Sequence, residues 1–390
     1  MMIYSILDTD FYKISMQQAV LALFPNTQVA YKFKNRGKHR FNDKFLQILK
    51  QQICEMSQLK LTNEEYNWLK TVSCLQPHYL EYLKNYRYNT DEVTCHLDND
   101  NNLVLDINGY WRDTILWEVP LMALISECYF KVIDKQWDYY DVKNNTDKKG
   151  NKLKIFNCDF SEFGTRRRRS YKTQDIVCNT LKKYNNCIGT SNLHFAMKYG
   201  LKPIGTVAHE FIQGNSVLES LNHANLYALK NWNKVYHGDL DIALTDTFTT
   251  DMFLKDFDAT LSKMYCGIRH DSGHYIQFID KIVKHYQKFN IDPLSKTIVF
   301  SDSLNIDKCI EIKKYCENKI KCFFGIGTHF TNDFENNNTF QNSDALNMVI
   351  KLWSVNGFPV VKLSDVSGKE NGDTEAIKNM KYIVKKTIGN

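Results

Sequence analysis

Hydrophobic and polar positions alternate in two different ways along the chain. From Asp8 to Tyr110 the periods are mixed. Tyr12, Met16, Ala19, Val20 and Leu23 share one helical face, and Val29, Tyr31 and Phe33 then alternate as a half-buried strand does. Helices are predicted near 42–58 and 63–74, the second opened by the capping box Thr62-Asn63-Glu64-Glu65. Val93, Cys95 and Leu97 pair with Leu103, Leu105 and Ile107 across an Asp/Asn turn. A long apolar helix over about 112–133 closes this part. Asp141–Lys154 has almost nothing apolar to bury and reads as a linker.

After residue 154 the pattern is regular: a short apolar strand, a turn of small or charged residues, an amphipathic helix, and then the same again. Seven strands end at Glu162-Phe163-Gly164, Gly189-Thr190-Ser191, Gly205-Thr206 running to His209, Thr245-Asp246, Arg269-His270-Asp271-Ser272, Ser301-Asp302-Ser303 and Gly325-Ile326-Gly327-Thr328. Between them lie periodic helices. Leu218, Leu221, Ala224, Ala228 and Trp232 follow the capping box Ser216–Glu219, and Ile276, Ile279, Ile282, Val283 and Tyr286 mark another. Such alternation means a parallel sheet. An open sheet gathers its chemistry at one or two switch points, whereas a barrel brings every strand's C-terminal end to one mouth. Because nearly every strand here ends in chemically useful residues, the expectation is an α/β fold with an irregular TIM-like barrel of about seven strands. Val349–Val355 and Phe358–Leu363 flank Asn356-Gly357, a two-residue hairpin signal, and this hairpin is expected to return to the front. The expected organisation is an N-terminal α+β open-faced sandwich over 1–140, a barrel over 155–345, and a C-terminal hairpin segment, 346–390, completing the first domain.

Composition adds exclusions. The 390 residues are 43% hydrophobic and 24% charged, enough for a large core. The longest apolar run, Pro120–Ile125, is far short of the ~20 residues that cross a bilayer, and Met1–Asp8 lacks a basic segment followed by an apolar one, so neither membrane nor secretion is expected. Eleven cysteines, an odd number without a Cys-x-x-Cys pair, fit reduced thiols in the cytoplasm and not a zinc site. A net charge of +6 suits anionic partners, without choosing between nucleic acid and phosphorylated metabolites.

The strand ends carry the candidate chemistry. Arg166–Arg169 start at a strand end, so one or two guanidinium forks are expected at the mouth, facing carboxylates or phosphates, with the others in solvent. Gly325-Ile326-Gly327-Thr328 has the form of a phosphate cradle. Asp246, Asp271 and Asp302 end three strands; singly each reads as a helix N-cap, together with Arg166 and Arg269 they suit a Mg²⁺-chelated polyphosphate. No lysine stands at these strand ends, which argues against a Schiff-base aldolase. His209, beside Glu210, can be a general base, a metal ligand, or a phosphoryl acceptor whose ring Glu210 or another carboxylate orients.

Ten segments in order extend the reading: Asp8–Lys13, Leu116–Leu121, Glu162–Arg167, Gly189–Asn192, Gly205–Glu210, Ala243–Asp246, Arg269–Gly273, Val299–Asp302, Gly325–Thr328 and Val361–Ser364. Together they resemble the nicotinate phosphoribosyltransferase family from about residue 8 to 370. The resemblance implies transfer of phosphoribose from 5-phosphoribosyl-1-pyrophosphate to nicotinate, driven by ATP as co-substrate with Mg²⁺. It implies that His209 is phosphorylated, that Glu210 and Asp271 assist, that Phe163 and a partner subunit's Tyr12 sandwich the pyridine ring, and that Arg166 and Arg269 hold the carboxylate or a phosphate. Gly325, Gly327 and Thr328 cradle the 5′-phosphate, and Asp246, Asp271 and Asp302 orient ribose, Mg²⁺ and pyrophosphate; no metal ligand is assigned. A homodimer with shared sites is implied. Two other readings are weighed. Nicotinamide phosphoribosyltransferase is disfavoured because Ser191 stands where amide-selecting relatives look to have an aspartate. A nucleic-acid-binding protein is disfavoured because the basic residues are spread along the chain among acidic ones.

Overall fold

The structure, a computed structural model, describes residues 1–389. Seven strands form one parallel sheet in the order Lys202–Pro203, Cys187–Thr190, Phe160–Glu162, Lys321–Ile326, Thr297–Phe300, Gly267–His270 and Ile242–Leu244. The chain returns through helices between strands, as parallel pairing requires. The first and last strands in sequence are neighbours at the centre, and the sheet is curled. It is a half-barrel: among the described residues no backbone ladder joins Lys202–Pro203 to Ile242–Leu244. Thr206 Oγ1 spans the opening by donating to Ile242 O at 2.9 Å. The two-residue strand ends on a proline, which has no N–H for a ladder. The strand expected to run to His209 therefore stops at Pro203, and His209 begins the helix His209–Leu218 instead.

The second sheet is antiparallel, in the order Phe358–Pro359, Met348–Val355, Gln28–Asn35, Leu103–Tyr110 and Val93–Leu97. Its second strand, from the C-terminal segment, pairs from Val29 opposite Val355 to Asn35 opposite Met348, with a register shift between Ala30 and Tyr31. Asn356 and Gly357 both take positive φ, 48° and 82°, the geometry a two-residue hairpin turn needs. Helices Asp43–Met56 and Glu118–Val132 pack onto this sheet. One apolar core lies under them and extends through Phe211, Trp232 and Leu244 to the barrel's open side. A second fills the parallel sheet and its outer helices, with Ile268, Ile298, Phe300 and Phe324 fully buried. Each such side chain contributes about 1.5–3 kcal/mol of burial.

Four expectations differ from what formed. Asp141–Lys154 is not a linker: Val142–Ile155 is a helix whose Val142, Thr146, Gly150 and Leu153 are buried against the helix Tyr171–Leu181. Four small or apolar residues at helical spacing suffice to anchor it, and the polar remainder faces water. The apolar helix over 112–133 is three pieces, Trp111–Thr114, a 3₁₀ turn Ile115–Trp117 and Glu118–Val132. The helix expected over 63–74 stops at Leu69, though Thr62 and Glu65 do form the reciprocal capping box. Ser216–Glu219 is no cap, because Ser216 lies inside the preceding helix and donates to Gln213 O.

Candidate active site

Parallel strands place all their C-terminal ends on one side, and there Asp246 and Asp271 meet at His209. His209 Nε2 lies 2.8 Å from Asp246 Oδ1 and 3.6 Å from Asp271 Oδ2. Asp246, with no exposed surface, also accepts from Ser272 Oγ at 2.6 Å and pairs with Lys362 Nζ at 3.0 Å. Asp271 accepts from Ser301 Oγ at 2.7 Å and faces Arg269 at 3.5 Å, while Arg269 also donates to Val207 O. Helix His209–Leu218 reaches this cluster because Gly214 lets it approach the Trp111 ring; a Cβ there would come within 2.2 Å of it.

Burial lowers the pKa of His209 to about 4, and Lys362 adds to this against the pull of Asp246 and Asp271. The ring is thus neutral at ordinary pH. Burial also opposes ionisation of Asp246 and Asp271, yet both are held below the usual carboxylate range, Asp246 by His209 and Lys362 and Asp271 by Arg269 and His209. The unfolded histidine takes up its proton near 6.5, the folded one only near 4. Stability from this group is therefore complete above pH 6.5 and falls as pH drops from 6.5 to 4. Between pH 7.5 and 5 the loss is about 2 kcal/mol, and urea midpoints of wild type and His209→Gln should show it missing from the variant. Equal acid sensitivity of the two proteins would contradict a buried neutral His209.

Glu210 does not join His209. Its carboxylate turns inward to Lys13 and accepts from Tyr31 Oη and Trp111 Nε1, each at 3.2 Å, so the carboxylate that orients His209 is Asp246. The four arginines also correct the expectation. Arg168 and Arg169 have no exposed surface, and the half-exposed pair is Arg166 and Arg167. Arg168 grips Asp8 through two bonds of 2.7 and 2.8 Å. Arg169 bonds Ser343 and stacks on Phe130 and Phe334. The chain turns through Thr165–Arg167 directly after the strand, so extended alternation does not apply there.

Phe163 lies against the last strand because position 325 is glycine: a Cβ would meet its ring at 2.4 Å. Gly325 thus makes room for the ring and leaves Gly327 and Thr328 at the strand end. Beside Thr328 opens a cleft of about 820 Å³ bordered by Arg167, Lys38, Arg40 and Tyr129. Tyr12, expected from a partner subunit, is near Arg166 and Glu118 of its own chain. Ser191 is buried and donates to Asp10 at 2.7 Å. Asp302 stays apart from the His209 cluster, with Lys369 at 3.7 Å and Ser303 Oγ at 2.9 Å.

Lysines absent from the strand ends reach the mouth from elsewhere. Lys362 arrives on the segment after the C-terminal hairpin, held by Leu363 N to Thr247 O and by Asp365 to Thr250. Lys351, on Met348–Val355, is brought to about 8 by burial, against Glu118. Lys13 enters from the helix Phe11–Leu23. Lys362 stood in one of the ten segments, but no local pattern signals where a loop lysine will point.

His209, Asp246 and Asp271 each offer one ligand atom within 4.8 Å of the others. For a hard cation such as Mg²⁺ the fit is partial, because Asp246 is enclosed by three partners; Asp271, 23% exposed, has the more accessible carboxylate.

A curled parallel half-barrel sheet with buried carboxylates, an oriented imidazole, arginines and a lysine at one mouth is the architecture of an α/β enzyme whose mouth suits anions. Residues 158–387 match the model of the nicotinate phosphoribosyltransferase (NAPRTase) family, and residues 7–126 that family's N-terminal domain. A nicotinate phosphoribosyltransferase of Methanosarcina acetivorans is 50% identical over 98% of both chains, and one of Saccharomyces cerevisiae 41% identical over 97% of this chain and 94% of its own. The crystal structure of nicotinate phosphoribosyltransferase from Porphyromonas gingivalis superposes with a TM-score of 0.94 at 38% identity over the whole of both chains. The chain belongs to the nicotinate phosphoribosyltransferase family and is an enzyme. Among the described residues no helix is long and apolar enough to cross a membrane.

Proposed function

We propose that this enzyme transfers phosphoribose from 5-phosphoribosyl-1-pyrophosphate to the ring nitrogen of nicotinate, giving nicotinate mononucleotide and pyrophosphate, with ATP cleaved through a phosphohistidine at His209. The observation that carries the ATP step is the bond from His209 Nε2 to Asp246, which leaves Nδ1 free. With the Nε2 proton donated to Asp246, the Nδ1 lone pair attacks the γ-phosphorus and ADP leaves; water later takes the phosphoryl group, giving phosphate. The added negative charge reorganises the pyrophosphate side of the mouth.

In the transfer itself, C1 becomes electron-poor as pyrophosphate departs, so the mouth must neutralise a leaving polyanion and aim an aromatic nucleophile. Arg269 and Lys362 serve the first need. Phe163 and Tyr12 set the pyridine ring and Arg166 takes its carboxylate, while Gly327 and Thr328 hold the 5′-phosphate and Asp302 a ribose hydroxyl. Mg²⁺, when bound, neutralises pyrophosphate charge, and Asp271 is the residue to hold it. We place the enzyme in the cytoplasm as a homodimer; its eleven cysteines, all free, support a reducing compartment.

The test is mononucleotide formation from nicotinate, phosphoribosyl pyrophosphate and Mg²⁺, with and without ATP, and with nicotinamide in parallel. Product from nicotinate that rises with ATP supports the reading; comparable turnover of nicotinamide removes the selectivity assigned to Ser191. Arg269→Ala should raise KM for nicotinate or for the donor about tenfold or more, as for a lost charged partner. Unchanged values for both would take Arg269 out of the substrate site.

A further inference from the structure

Glu210 was expected at the chemistry, and its real partner leaves a buried network that neither step above uses. Lys13 Nζ, with no exposed surface, lies 2.5 Å from Glu118 Oε2 and also contacts Glu210. The other oxygen of Glu118 faces Arg166 at 3.9 Å. Three elements meet here. Lys13 follows Tyr12 on the helix Phe11–Leu23, Glu118 opens Glu118–Val132, and Glu210 is the second residue of His209–Leu218. A buried ion triad adds little stability over apolar residues of equal volume, so stability does not account for it. What it holds constant is the distance between the base-facing pair, Tyr12 and Arg166, and the helix end that carries His209. Its two carboxylates outnumber its lysine, and Lys351 and Arg166 are the further cations that face Glu118.

We propose that Lys13 is a positioning residue: whatever effect phosphorylation of His209 has on nicotinate at Arg166 is carried through the Glu210–Lys13–Glu118 contacts. The inference rests on the phosphohistidine reading. A phosphoryl group on the first residue of a ten-residue helix adds charge where the helix N-terminus attracts anions and shifts that helix end. Glu210 moves with it and, through Lys13, so does Glu118, the carboxylate that competes with nicotinate for Arg166.

The experiment measures the nicotinate KM with and without ATP, at saturating donor and Mg²⁺, in wild type and four variants. Glu210→Gln should cut the ATP-induced change in KM to less than about threefold while ATP is still hydrolysed; in wild type that change is expected to be about tenfold. Glu118→Gln should alter the nicotinate KM about tenfold even without ATP, since Arg166 loses its neighbour. Lys13→Met should show both effects, and Lys13→Arg should recover part of each. If Lys13→Met does not fold, the two amide variants decide, because glutamine keeps the size of glutamate. The coupling is overturned if both amide variants keep wild-type KM values and ATP response and lose only melting temperature or kcat. A wild type whose KM ignores ATP also overturns it, and the phosphoenzyme assay on that same protein tells whether the phosphohistidine reading failed too. The Glu118→Gln measurement without ATP stands in either case.

Discussion

His209→Ala forms no acid-labile phosphoenzyme and loses ATP hydrolysis by about 10²-fold or more, the scale expected when the attacking group itself is removed. Transfer to nicotinate persists at a reduced rate that ATP no longer raises, because the groups assigned to the base, the 5′-phosphate and the pyrophosphate are untouched. Asp246→Asn sharpens the test. An amide N–H would donate to Nε2 and force the proton onto Nδ1, closing the only free nitrogen, so a nearly isosteric change should silence phosphorylation almost as fully. Labelled phosphate from ATP, followed through acid and base treatment, reads both variants. Acid-labile label on His209→Ala would move the phosphoryl acceptor elsewhere.

Asp8→Ala destabilises the protein by about 3–5 kcal/mol, the cost of leaving a fully buried guanidinium without its carboxylate. Arg168 would keep hydrogen bonds only to Gln174 Oε1 at 3.1 Å and Met2 O at 3.3 Å, with Glu127 as its remaining nearby carboxylate, while Asn192, which donates to Asp8 at 2.9 Å, would keep only Thr165 Oγ1 at 3.3 Å. Asp8→Leu combined with Arg168→Met should recover much of the loss, since the penalty belongs to the unpaired charge and not to the missing attraction. Denaturant midpoints of the single and double variants measure this directly. A single-variant loss under about 1 kcal/mol would mean that water reaches the site and screens the charge.

What was legible in the chain was whatever repeats locally. Seven apolar strands ending in small or charged residues announced the parallel sheet, and Asn356-Gly357 announced the turn it forms. Sequence pattern brought Asp246, Asp271 and Arg269 to one mouth because parallel strands leave no other arrangement. It failed where tertiary partners decide. Arg168 and Arg169 look like surface charge until Asp8 and Ser343, far away in sequence, take them inside. Glu210, adjacent to His209, points elsewhere because successive helical residues project about 100° apart. Val142–Ile155 hides its anchoring face among lysines and asparagines.

The Gln28–Asn35 strand lies between Leu103–Tyr110 and Met348–Val355. Its first neighbour is synthesised soon after it, the second only roughly three hundred residues later, a delay on the order of 15–60 s at ordinary translation rates. Throughout that interval one side of the nascent sheet offers unpaired N–H and C=O groups to any extended segment nearby. A chain that ends before residue 348 lacks the strand that pairs with Gln28–Asn35 on this side and leaves that edge open.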